Sequence, residues 1–203
     1  HFLAHEISPS DQSISATALA QDFFNSFDAP MGPVAAFLAA RKELDEAWEE
    51  NLGNRLFRPL HPDEGDMEKL VYIPSGNGRR ELDSVILNLT KLCVDYIDES
   101  GLERADSPGG INRLKATLER EGVEVSLSPL RDLQSIRSAA MAHAKGSKYE
   151  KLKGSLLTGD NPADIERLVG RLTAMMTELA AALREGGGCF AGQSEEMIIA
   201  RSR

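Results

Sequence analysis

The sequence has few cysteines, few histidines and no long apolar run. Its two cysteines, Cys93 and Cys189, form no CxxC pair. That pattern gives neither a disulfide framework nor a zinc knuckle, and it suits a reducing, cytoplasmic setting. No apolar run approaches the roughly eighteen residues of a membrane span. HExxH, P-loop, GxSxG and GxGxxG motifs are all missing, which removes the commonest metalloprotease, nucleotide-binding and hydrolase signatures. The opening His1-Phe2-Leu3-Ala4-His5-Glu6 has no basic region, no long apolar stretch and no initiator Met. It is not expected to be a signal peptide, and the chain is expected to be a fragment or processed product. No repeat at a solenoid period and no convincing set of strands is present.

What is there is globular composition, 41 % hydrophobic and 27 % charged over 203 residues. The net charge of −9 is unevenly spread. Residues 1–102 carry 8 Lys/Arg against 18 Asp/Glu, while 103–203 carry 15 against 14. A chain this acidic is a poor non-specific nucleic-acid binder. Residues 131–153 are the exception, with Arg131, Arg137, Lys145, Lys148, Lys151 and Lys153 against Asp132 and Glu150.

Helical periodicity dominates, so the expected fold is all-α, an antiparallel helical bundle with an N-terminal helical extension. Ile14, Ala18, Leu19, Phe23 and Phe27 share one stripe, closed by Pro30. A second helix starts at Pro33, carries Phe37, Leu38, Leu44 and Trp48, and ends at Gly53. Its acidic last turns (Glu43, Asp45, Glu46, Glu49, Glu50) oppose the helix dipole and call for partners elsewhere. Together these make a helical arm or hairpin over 1–53. Residues 54–79 read as an irregular connector, with Leu70–Ile73 a short extended piece. From 80 to 186 the pattern is a bundle. Leu82, Val85, Ile86, Leu89, Leu92, Cys93, Tyr96 and Ile97 form a continuous core face. Ile111, Leu114 and Leu118 mark a shorter helix. Ser128 is the expected N-cap of the next, and Asn161-Pro162 opens the last. Residues 187–203 read as a tail.

Four histidines exist, His1, His5, His61 and His143. His1 and His5 have the i, i+4 spacing of a helical metal pair but no further ligands, so no metal or cofactor is expected. His61 reads as a turn residue. His143 is different, because it follows Arg137-Ser138 at the end of a bundle helix and opens the basic run. Arg137-Ser138, four spacers and His143 resemble the signature of the HEPN domain family. The resemblance covers about residues 80–186. The family's position after the Arg is usually Asn, Asp or His, and Ser stands there in this chain.

The resemblance implies an all-helical, commonly homodimeric bundle. It implies a metal-independent endoribonuclease of toxin–antitoxin or antiviral-defence systems, acting as a domain of a larger protein. The chemistry asks for these residue types. When the RNA 2′-OH attacks the adjacent phosphorus, one oxygen loses a proton and another gains one, and a His near neutrality serves either step. Charge builds on the non-bridging oxygens, which an Arg fork holds. Arg137, Ser138 and His143 would then be catalytic. Arg131, Lys145, Lys148 and Lys151 would follow the RNA backbone, and Tyr149 would stack on a base. A six-residue spacing turns about 600° on a straight helix, leaving Arg137 and His143 about 120° apart. The pair therefore needs a helix break or a second subunit. The other reading is a non-catalytic helical module that dimerises, docks a partner protein or binds RNA.

Overall fold

The computed structural model describes residues 31–141 and 155–186. The chain divides between Gly32 and Pro33, and the bundle belongs to the unit that begins at Pro33. The fold is all-α. Five α-helices stand among the described residues: α1 Pro33–Leu52, α2 Arg79–Thr90, α3 Gly110–Arg120, α4 Ser128–Met141 and α5 Asn161–Gly186. Short 3-10 turns cover Pro62–Glu64, Met67–Leu70 and Glu99–Gly101. No strand occurs among the described residues; the one β contact is an isolated antiparallel bridge between Phe57 and Ile97. None of these helices is long and apolar enough to cross a membrane.

The bundle follows from the apolar stripes. α5 buries Ile165, Leu168, Val169, Leu172, Met175, Met176, Leu179 and Leu183, the repeat of a helix with one core face. α1 lies along it and buries Phe37, Leu44, Ala47 and Trp48. Thus Pro33–Leu52, in the segment read from sequence as an arm, shares the core of 80–186. α4 packs on α2 and on α5. The acidic end of α1 finds its partners. Arg184 reaches Glu43 at 2.6 Å, Arg55 reaches Glu49 at 3.1 Å, and the Asp45 carboxylate accepts the Phe57 N–H at 3.0 Å.

Two glycines end helices as their left-handed backbone allows. Gly53 (φ +77°) donates to the Glu49 carbonyl. Gly122 (φ +69°) is followed by a bond from Val123 N–H to Leu118 O, the six-to-one closure of a Schellman turn. Two helix starts differ by one residue from expectation. Ser128 is already helical, and Ser126 Oγ accepts its N–H at 3.4 Å. Asp160 rather than Asn161 caps α5, accepting Ala163 N–H at 3.3 Å. Asn161 instead anchors the Ser75–Gly78 turn, with its N–H on Asn77 Oδ1 and its Nδ2 toward the Gly76 and Gly78 carbonyls.

The main departure lies after α2. The α-helix stops at Thr90 and continues as one π turn, Lys91–Asp95. Leu92, Cys93 and Val94 are all buried. Asn88, Leu89 and Thr90 in the last turn of the α-helix are buried likewise, so the buried surface runs unbroken from the α-helix into the π turn. Tyr96 N–H closes the turn on Lys91 O, five residues back, at 3.0 Å.

Candidate functional site

The π turn ends at the negative end of the helix dipole, where the last carbonyls of a helix run out of intrahelical donors. Cations collect there. Arg41 of α1 donates from Nε to Leu92 O at 3.2 Å, lies over the Phe57 ring, and stands 3.6 Å from Glu68. Arg58 of the connector donates from Nη2 to Asp95 O and lies over the Tyr96 ring. Its backbone N–H donates to Tyr96 O at 2.8 Å, and Asp98 N–H to Leu56 O at 2.8 Å, which gives the Phe57–Ile97 bridge. The connector 54–60 is therefore fastened along the exit of the π turn.

Arg137 arrives from α4. Its Nη1 donates to both carboxylate oxygens of Asp95, at 2.8 and 2.7 Å. Both side chains are about a third exposed (32 % and 38 %), so solvent screens the pair. An ion pair of that exposure is worth about 0–1 kcal/mol. Its effect is therefore more on where the guanidinium sits than on stability.

A second polar group flanks the first. The Glu64 carboxylate accepts Lys91 Nζ at 2.8 Å and the Tyr96 hydroxyl, and Tyr96 Oη accepts the His61 N–H at 3.4 Å. The Lys91 bond, then the Tyr96 bond, holds the Glu64 carboxyl below its usual range. Glu64 in turn raises Lys91. Cys93, in the same π turn, is fully enclosed, and burial pushes its thiol up to about 12. That thiol is not a nucleophile near neutrality.

The sequence-predicted residues on α4 do not form one cluster. Arg137 faces the π turn. Arg131, six residues earlier, donates to Asn112 Oδ1 of α3 at 3.2 Å. Ser138 is exposed, and its hydroxyl donates back to the Gln134 carbonyl at 2.8 Å. That local back-bond is usual for a mid-helix serine. His143, Lys145, Lys148, Tyr149 and Lys151 lie outside the described residues, as do His1 and His5. His61 is exposed; its Nδ1 accepts the Asp63 N–H in a turn.

Sequence reasoning missed Asp95, Arg58 and Arg41. Asp95 offered only an acid at the end of an apolar helical face. Arg41 and Arg58 gave no signal, because a cation that caps a distant carbonyl has no local pattern. No family model, no curated protein and no solved structure matches this chain.

Proposed function

We propose that the chain is a metal-independent endoribonuclease of the HEPN type, the RNA-cutting domain of a larger cytoplasmic toxin or antiviral-defence protein that works as a homodimer. The observation that carries this reading is Arg137: a part-exposed arginine on a core helix, held on one side by Asp95 at 2.7 Å. An arginine fixed before substrate arrives has already lost part of its rotamer freedom, which favours a phosphate clamp. Arg137 would hold the non-bridging oxygens as the RNA 2′-OH attacks phosphorus. His143 would move the proton between the attacking and leaving oxygens. The products would be a 2′,3′-cyclic phosphate and a 5′-hydroxyl. Arg131, Lys145, Lys148 and Lys151 would track the backbone, with Tyr149 stacking on a base. The test is total RNA in EDTA with wild type and His143→Ala. Fragments from wild type alone support the reading; intact RNA, or equal cutting by both, removes it.

A second reading draws on the same contact. The Arg137 charge is already met by Asp95, and the Ser138 hydroxyl is spent on its own helix. Both facts suit a non-catalytic module that dimerises or docks a partner. A dimer in solution with no RNA affinity even at low salt would favour it, since phosphate contacts strengthen as salt falls.

A further inference from the structure

Resting on the ribonuclease reading, we propose that Asp95 is the positioning residue for Arg137 and that the π turn is the device that places it. The contact has a sidedness. Only one terminal nitrogen, Nη1, takes both Asp95 oxygens. A bidentate phosphate contact uses two adjacent nitrogens of the fork. The Nε–Nη2 edge, on the other side of the guanidinium from Nη1, supplies that pair. Asp95 therefore orients the fork without occupying the edge that phosphate takes.

Asp95 is itself held by its backbone. It is the last residue of the π turn, closed by Tyr96 N–H on Lys91 O at 3.0 Å. Arg58 Nη2 grips the Asp95 carbonyl, and the Arg58 N–H grips Tyr96 O at 2.8 Å. Leu92, Cys93 and Val94 are buried in that turn, and the next side chain, Asp95, meets Arg137 of α4. Single π turns are rare and are frequently found at functional sites. The small stability value of a part-exposed pair points the same way.

The experiment measures cleavage of a short fluorescein-labelled single-stranded RNA in EDTA by wild type, Asp95→Asn and Asp95→Glu, with the melting temperature of each. Asp95→Asn keeps the shape and removes the charge; Asp95→Glu keeps the charge on a longer arm. The expected result is kcat lowered about 10- to 100-fold in Asp95→Asn, with KM within about threefold of wild type and an undisturbed melt. Asp95→Glu should fall between the two. If Asp95→Asn fails to fold, Asp95→Glu decides alone: reduced kcat at constant KM supports the assignment, and wild-type kcat overturns it. Wild-type rates in a folded Asp95→Asn overturn it, and so do faster rates, which would make Asp95 a competitor of the phosphate. Wild type that leaves the RNA intact removes the ribonuclease reading and this assignment together. An active wild type with an indifferent Asp95→Asn removes this assignment alone.

Discussion

Asp164 is the one buried charged side chain among the described residues, and five hydrogen bonds hold it there. Its carboxylate accepts the Thr158 N–H on both oxygens (2.9 Å), the Thr158 hydroxyl (2.9 Å), the Gly159 N–H (3.0 Å) and Arg167 Nη2 (2.6 Å). Burial pushes the carboxyl pKa up, but these donors outweigh it and the net shift is downward. A carboxyl lowered by folding stabilises above its unfolded value, near 4. That contribution is lost as pH falls through the folded value. Asp164→Asn should cost about 1–3 kcal/mol in urea unfolding at pH 7, and the gap should shrink in acid. A pH-independent gap would mean that the carboxylate charge is not what these donors hold. Cys93 offers a second check. With its pKa pushed up to about 12 by burial, it should resist iodoacetamide at pH 8 in a folded Cys189→Ser protein and react once urea unfolds the chain.

Among the elements, the strongest periodicities were the most legible. α5 and α1 were readable because their stripes repeat over many turns, and Pro33, Gly53 and Pro162 punctuate them. The connector 54–79 was read as irregular, but its function in the fold was not visible. Arg58 and the Leu56–Asp98 pairing act across about forty residues, and no local pattern encodes that. The π turn was missed because an unbroken apolar face from Leu82 to Ile97 reads as plain α-helix. Of the candidate site, Arg137 was readable as a motif residue, but its partner Asp95 was not. Trp48 makes the membership of α1 measurable. It is fully buried, and its Nε1 has no hydrogen-bond partner among the described residues. As the only tryptophan, it reports α1 alone. Because α1 shares the core with α5, tryptophan fluorescence and far-UV circular dichroism should trace one coincident urea transition. An earlier fluorescence transition would mean that α1 melts as a separate arm.

At the scale of the whole molecule, the charge division and the core bear on each other. The acidic first half includes α1, which supplies Phe37, Leu44 and Trp48 to the interior. Removing residues 1–53 should therefore abolish cooperative melting, because it opens a core-sized gap. The proposed chemistry turns on one event: Arg137 clamps a phosphate while the RNA's own 2′-OH attacks it. One oligonucleotide of mixed sequence, made as RNA and as its 2′-O-methyl analogue, tests this with wild type and Arg137→Ala in EDTA. With such a clamp, wild type cuts the RNA to fragments ending in 2′,3′-cyclic phosphate and leaves the analogue whole, and Arg137→Ala cuts at least about 100-fold more slowly. Equal cutting of RNA and analogue, or undiminished cutting by Arg137→Ala, would contradict it.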